Sequence, residues 1–574
     1  MYILGINEAL GASAAILKNG EIVAGVQEER FTRIKNNWGF PKNAIQFCLD
    51  FVSIKPQLLD LVVLSYEDPY PHFTTGRAEE LPDASFSFLK SIRNVAPKLE
   101  YHFPPLSLLT DLGRRLFYST IHTRSKTKQI AEIAHSLQIS PEKIISCNHQ
   151  VAHAYTAYFG MKEKHKKTLV LTCDGAGDQL CATVSVVKNG NISRIASTPH
   201  THSLGLFYAS ITSFLGLKAH EDEYKVMGLA PYAQEGKWQP IYNLFKQLIW
   251  VEELQFKSTI PARHFGFFLL EHLTETRFDY IATAAQKFFE DIIVEWVKNA
   301  VIYTKIDNLA VAGGVFLNVK TNQKIGQLKE VKTVYFAPSP GDDTNAFGAC
   351  YYGARLLKPE SFPQPLTNMY IGPEYLDNKI NNSNKKYSAI KPKNISKTVA
   401  QLLARGEIVA RFEGRMEFGA RALGNRSILA GPRNIEVVEK INRMIKMRDF
   451  WMPFAPTILD AFAARYLINP KNLSASHMIL SFDITNEGKQ ALAAAIHPYD
   501  KTVRPQVLKR SDNPPYFDLI VEFKKLTGIG AVLNTSFNIH GEPIVCTPHD
   551  ALSTFIRSGL KYLQLNDILI SKRS

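Results

Sequence analysis

The sequence predicts an α/β chain of at least two domains, the first of them built by internal duplication. Three observations predict it: the length, a strand-and-hairpin pattern that occurs twice, and a proline-rich break well past the middle of the chain. At 574 residues, 45% hydrophobic and 21% charged, the chain can bury large cores, and domains of roughly 100 to 200 residues require more than one.

The first pattern opens the chain. Residues 2–7 are apolar; then come the run Ser13 to Leu17, the turn Lys18-Asn19-Gly20 and the run Glu21 to Val26. Asn-Gly between apolar runs signals a hairpin, because both turn residues accept positive φ. A three-stranded antiparallel start follows. The second copy runs from Thr168 to Gly175, from Ala182 to Val187 and through Lys188-Asn189-Gly190-Asn191. Two such units suit the actin, sugar-kinase and Hsp70 class, ribonuclease-H-like in topology, which holds nucleotide phosphates between paired lobes. That class also uses a later glycine pair to approach the adenosine, since a residue without Cβ lets backbone come close. The strand Leu309 to Ala312, followed by Gly313 and Gly314 and running on to Asn318, has that form.

Residues 70–145 mix proline, aromatic and basic residues with helical stretches such as Ile130 to Leu137, and read as a helical insertion. Pro359, Pro363, Pro365 and Gly372 mark a linker over residues 358–369. It divides a first domain, 1–357, from a second, 370–574.

His149 and His153 stand four residues apart, which on a helix puts both on one face within reach of a single ion. A bare pair at this spacing also occurs on helix surfaces, so further ligands decide. Asp174 ends the second-copy strand, and Asp342 precedes an apparent helix from Ala346 to Leu357. Two histidines with one or two aspartates suit iron, manganese or zinc, and ligand type does not choose among them. The stretch His220 to Pro231 packs charge beside glycine and proline and reads as a functional loop entering a helix; it names no reaction.

In the second domain, Arg411, Arg415, Arg421 and Arg426 lie in one glycine-spaced segment after the strand Glu407 to Ala410. Four guanidinium groups there resemble a cradle for phosphate or carboxylate. Lys446, Arg504, Asn534 and Ser536 follow, the last two at the end of the strand Gly530 to Leu533. Their polar ends can hold an anion or a carbamoyl oxygen, and we expect these groups to converge on one basic pocket.

Six scattered cysteines without paired spacing read as reduced core residues. The net charge of +14 is spread along the chain, which suits a solvated basic surface or the attraction of small anions more than a nucleic-acid stripe. The first residues lack a signal-peptide pattern and no apolar run approaches a membrane span, so a cytoplasmic location is expected.

With these motifs in order, the chain resembles the O-carbamoyltransferase family, which includes the nodulation protein acting on lipo-chitooligosaccharides and the enzymes acting on tobramycin, cephalosporins and ansamycins. The resemblance extends from Ile3-Leu4-Gly5-Ile6-Asn7, through Glu28-Glu29-Arg30-Phe31-Thr32-Arg33-Ile34-Lys35, to Gly541-Glu542-Pro543-Ile544-Val545. It implies ATP-dependent carbamoyl transfer in natural-product or antibiotic biosynthesis. A second domain of α+β type, similar to the threonylcarbamoyl-adenylate synthase, would make carbamoyl-adenylate from carbamoyl phosphate and ATP. Arg421, Lys446, Arg504, Asn534 and Ser536 would hold the carbamoyl phosphate, with Arg421 and Lys446 catalytic. The first domain, similar to the tRNA threonylcarbamoyl transferase, would pass the carbamoyl to a hydroxyl or amine of a small-molecule acceptor. There the resemblance implies His149, His153, Asp174 and Asp342 as ligands of Fe(II), with Mg accompanying ATP, and Lys35, Gly313, Gly314 and Asn318 as nucleotide contacts. It also allows a homodimer.

One departure stands out. The family carries His-Asp before its Ser-Ala-Ala strand, where this chain has Leu10 and Gly11; Glu8 is the nearest titratable group and the candidate to take over as general base. Two other readings follow from the same residues: a diverged member with impaired transfer that acts as a binding or partner module, and a tRNA-modifying protein. No basic helix interleaved with aromatics supports the second.

Overall fold

The computed structural model describes residues 1–68, 98–103, 125–360, 362–376 and 386–573. They form two compact units: Met1–Glu28 with Asn36–Leu366, and Glu29–Lys35 with Thr367–Ser574.

The first unit is built on two five-stranded sheets. One contains β1 (Tyr2–Asn7), β2 (Ser13–Lys18), β3 (Glu21–Gln27), β4 (Leu61–Leu64) and β5 (Ile144–Ser146), in the order β3-β2-β1-β4-β5. The other contains β6 (Lys167–Gly177), β7 (Leu180–Lys188) and β8 (Asn191–Pro199); beyond a separate hairpin, β9 (Ile249–Glu252) and β10 (Gln255–Ser258), it is completed by β11 (Asn308–Ala312) and β12 (Thr333–Phe336). Its order, β8-β7-β6-β11-β12, repeats the first. In each sheet the opening three strands are antiparallel, and the last two add in parallel on the other side of the first strand. The duplication expected from the two Asn-Gly hairpins is therefore present, in the ribonuclease-H-like arrangement. Both turns use the left-handed backbone that suggested them: Asn19 and Gly20 at φ 52° and 92°, Asn189 and Gly190 at φ 52° and 81°.

Parallel strands buried on both faces need helices to cover them. The helix Asn345–Leu357 packs on β1, β2 and β4, while the helix His149–Gly160 packs on β6 and β11. The two helices also pack on each other, so the pair joins the sheets, and the ends that carry His149 and Asn345 bear the chemistry described below. Most of the expected insertion at 70–145 lies outside the described residues; within it, residues 98–102 and 125–137 are helical.

The second unit is α+β. It contains β13 (Tyr387–Ile390), β14 (Val409–Phe412), β15 (Arg426–Ala430), β16 (Ala455–Leu459), the small pair β17 (Leu467–Ile468) and β18 (Asp483–Ile484), then β19 (Gln506–Leu508), β20 (Ala531–Ser536), β21 (Tyr562–Leu565) and β22 (Ile568–Lys572). Eight of them form one mixed sheet in the order β13-β22-β21-β14-β15-β20-β16-β19. Alternate residues of its central strands, among them Ala410, Phe412, Ile428, Ala430 and Leu533, build the core.

Two boundaries differ from the sequence reading. Residues 29–35, expected inside the first domain, pack on the second unit: Phe31 lies against Met416, Ala422, Ile544 and Cys546, and Arg33 donates to the carbonyls of Ile544 and Pro543 at 2.7 and 2.6 Å. The expected linker is held to the first unit by the Gln364 N–H on the Gly20 carbonyl at 2.7 Å and the Leu366 N–H on the Gly160 carbonyl at 3.1 Å. Proline content marks an extended strap and a free linker alike. Among the described residues no helix is long and apolar enough to cross a membrane.

Candidate functional site

The first unit brings together the four side chains expected to hold an ion. Asn148 caps the helix His149–Gly160 by accepting from the Gln150 N–H at 3.2 Å, which sets His149 and His153 one turn apart at its start. Asp174 comes from β6, and Asp342 from the turn that leads into the helix Asn345–Leu357. One ligand atom from each of these four residues lies within 4.8 Å of all the others. His153 Nε2 is 3.2 Å from Asp174 Oδ2 and 3.3 Å from Asp342 Oδ1, and His149 Nε2 is hydrogen-bonded to the same Asp174 oxygen.

Two carboxylates converging beside buried imidazoles require positive charge. His153 supplies it: burial alone would lower its pKa, but Asp174 and Asp342 outweigh burial and raise it to about 9. Asp174 mirrors this, as the two histidines overcome burial and hold it down at about 2. A divalent cation would supply the same charge and displace that proton.

The surrounding groups fit such an ion. Gln150 Nε2 donates to Asp174 Oδ1 at 3.0 Å, and the Tyr66 hydroxyl donates to Asp342 Oδ2 at 3.2 Å. Asn345 places its amide nitrogen 3.1 Å from His149 Nδ1, and its own carbonyl oxygen is buried without a hydrogen bond. A half-turn of this amide lets the carbonyl accept from a protonated Nδ1, which leaves Nε2 a lone pair for a metal.

Gly313, at φ 108°, lies where a Cβ would overlap the Cys173 carbonyl, so the glycine pair approaches β6 beside Asp174. Asn318 does not reach outward. Its side chain accepts from the Thr321 N–H at 3.1 Å and exchanges hydrogen bonds with Gln286, so it caps the helix Val319–Gln327 and braces the loop. Glu8 is buried, accepts a hydrogen bond from Gln129 Nε2 and is pushed up to about 7 by burial, against the opposing pull of Lys126 and Gln129.

The second unit gathers cations. Lys446 ends a π-helical turn, Asn442–Lys446, and Met447 closes it at φ 44°, a local departure from α geometry of the kind that often marks functional sites. Its ammonium donates to Ser536 Oγ at 3.0 Å and Asn538 Oδ1 at 2.7 Å. Burial, with Arg448 and Lys35 nearby, pushes Lys446 well below its ordinary pKa; burial, with Arg421 and Arg448, does the same to Arg504. Lys35, expected beside the first-domain nucleotide loop, is thus placed in the second unit near Lys446. Asn534, two residues before Ser536 on β20, donates to the Ala422 carbonyl and Thr457 Oγ1, both at 3.1 Å, while its Oδ1 is buried and unpaired.

The four-arginine cradle is corrected. Arg411 donates to the Gly424 carbonyl, Asn425 Oδ1 and Glu413; Arg426 donates to the carbonyls of Glu413, Asn425 and Gly414; Arg415 donates to Ile371 and Gly372. Those three hold the loop, and Arg421 alone of the four adjoins Arg504. A guanidinium binds backbone carbonyls as readily as phosphate, so the motif did not separate the two uses. Arg448 and Asn538 were not assigned from sequence, although each neighbours a residue that was. Lys126 and Gln129 gave no local signal, because their partner Glu8 is far away in sequence.

A family model described as the carbamoyltransferase N-terminus matches residues 2–351, and one described as the carbamoyltransferase C-terminus matches residues 400–572. Among curated relatives, the uncharacterized protein MJ1051 of Methanocaldococcus jannaschii is 31% identical over 99% of both chains. Nodulation protein NolNO of Sinorhizobium fredii is 28% identical over 98% of this chain and 79% of its own. Nodulation protein NolO of Bradyrhizobium diazoefficiens is 31% identical over 74% of this chain and 79% of its own. With both family models matched in order and spanning most of its length, the chain belongs to the carbamoyltransferase family and is an enzyme of carbamoyl transfer.

Proposed function

We propose that the protein activates carbamoyl phosphate with ATP in its second unit and transfers the carbamoyl in its first unit to a small-molecule acceptor. The observation that carries this reading is the burial of Lys446 and Arg504 among like charges, Arg448 and Lys35 acting on the first and Arg421 and Arg448 on the second, which raises the energy of these two cations until an anion of several charges joins them. Carbamoyl phosphate and the ATP phosphates have that charge.

Water opens carbamoyl phosphate to carbamate and phosphate, the departing phosphate held by Arg421, Lys446 and Arg504. A carbamate oxygen then attacks the α-phosphorus of ATP and pyrophosphate leaves. In the first unit the acceptor hydroxyl or amine attacks the carbamoyl carbon, AMP leaves, and the proton goes to Glu8. His149, His153, Asp174 and Asp342 would hold a divalent cation, Fe(II) by the family resemblance, which as a Lewis acid polarises the oxygens it touches. Gly313 and Gly314 receive the nucleotide, and Mg accompanies ATP.

The test is whether carbamoyl phosphate makes the protein convert ATP to AMP and pyrophosphate rather than to ADP, and whether Lys446→Ala stops it. The absence of the family's His-Asp from the stretch between Asn7 and Ser13 favours a second reading in which activation persists and transfer is impaired. It predicts pyrophosphate release, with AMP appearing as water hydrolyses the carbamoyl-adenylate, and no carbamoylated product from any acceptor.

A further inference from the structure

The helix 125–137 makes a polar contact with Glu8 that the carbamoyl chemistry above does not use. Gln129 is 1% exposed; its amide nitrogen donates to Glu8 Oε2 and its amide oxygen is buried without a partner. Lys126, one turn earlier, donates its ammonium to the Tyr66 carbonyl at 2.8 Å. Tyr66 in turn sets its hydroxyl on Asp342 at 3.2 Å and its ring 4.4 Å from that of His149. One residue therefore links the Lys126 ammonium to the candidate ion site. Among the described residues, the charged and titratable groups that act on this pair are few. Lys126 is the charged group that acts on Glu8, and Asp178, Asp68 and Cys147 act on Lys126 together with Glu8.

We propose that Lys126 and Gln129 are positioning residues that hold Glu8 as the proton acceptor of the transfer step. The inference rests on the proposed reaction, and it assigns part of the transfer site to the helix 125–137. A primary amide suits this task because it serves both charge states: its nitrogen donates to the carboxylate, and after a half-turn its oxygen accepts from the protonated acid. Lys126 supplies the opposite charge that a buried carboxylate needs in order to ionise. Burial alone would push Glu8 higher still; with these two partners its pKa comes to about 7, near the value general-base catalysis favours.

The test is an infrared difference titration of the full-length protein against its Glu8→Gln variant, which isolates the Glu8 carboxyl band. The expected midpoint is about 7. It should move upward in Lys126→Met, move upward in Gln129→Leu, and return toward the starting value in Lys126→Arg, which restores the charge. An unmoved midpoint in folded Lys126→Met protein overturns the role of Lys126. If that variant does not fold, Gln129→Leu and Lys126→Arg carry the test, and an unmoved midpoint in Gln129→Leu or a displaced one in Lys126→Arg overturns the proposal. AMP and pyrophosphate formation is measured on the same samples. Its absence from the wild-type protein refutes the proposed reaction; its presence with unshifted titrations refutes this inference alone.

Discussion

The ring of His149 occupies the space where a side chain on Gly177 would begin. A Cβ at Gly177 would fall inside the ring's van der Waals envelope, so β6 and the helix His149–Gly160 approach as closely as they do because position 177 is glycine. That contact fixes the imidazole against Asp174.

Gly177→Ala should displace the ring and weaken divalent-ion binding by roughly 10-fold or more, the scale seen when groups that orient metal ligands are changed. Gly175→Ala, where a Cβ meets only ordinary contact with Leu206, serves as the control and should leave binding unchanged. Calorimetric titration with Mn(II) or Fe(II) checks both.

Arg426 and Arg421, five residues apart in one motif, should respond differently. Arg426 is fully buried on three carbonyls, and Arg426→Ala should cost about 3 kcal/mol or more in denaturant unfolding, since it strands those acceptors. Arg421→Ala should stay within about 1 kcal/mol of wild type and lose carbamoyl-dependent ATP cleavage.

Stability should carry the signature of Glu8. Its folded pKa is raised from 4.5 to about 7, so between these values the native state binds more protons than the unfolded chain. The stability it contributes is fully present below its unfolded pKa and is lost as pH rises through about 7, a swing of roughly 3 kcal/mol for the unit containing it. Glu8→Gln should flatten that part of the curve in unfolding experiments followed across pH.

Anions should stabilise the second unit. Phosphate or pyrophosphate binding among Lys446, Arg448 and Arg504 relieves like-charge repulsion, so Tm should rise with anion concentration. The rise should shrink in Lys446→Met, whose own Tm should be no lower than that of the anion-free wild type. Differential scanning fluorimetry checks it.

Much of this arrangement was legible because the informative signals are local. The Asn-Gly turns announced both hairpins through backbone that few other residue pairs adopt, and four-residue spacing put His149 and His153 on one helical face. The topology could then be read from the repeat. What escaped depends on distant contacts. Arg411 and Arg426 look like anion ligands in sequence, and only the loop folding back over them shows their guanidinium groups already filled by carbonyls. The segment 29–35 follows β3 directly in the chain, yet Phe31 and Arg33 find their partners near residue 544. Asn318 sits in a loop of the expected form and is used as a cap. Gln129 meets Glu8 across more than a hundred residues, in a stretch whose composition suggested no more than helix.

The central claim is that this enzyme activates its carbamoyl group by adenylation at the Lys446 cluster and transfers it at the His149 cluster. The most direct measurement is ATP cleavage by the purified, metal-loaded protein with and without carbamoyl phosphate, separating AMP and pyrophosphate from ADP, in wild type, Lys446→Ala and His149→Ala. The account predicts carbamoyl-dependent pyrophosphate, lost in Lys446→Ala and largely kept in His149→Ala, with AMP following as the adenylate is transferred or hydrolysed by water. ADP as the product, or cleavage indifferent to carbamoyl phosphate in folded protein, would contradict it.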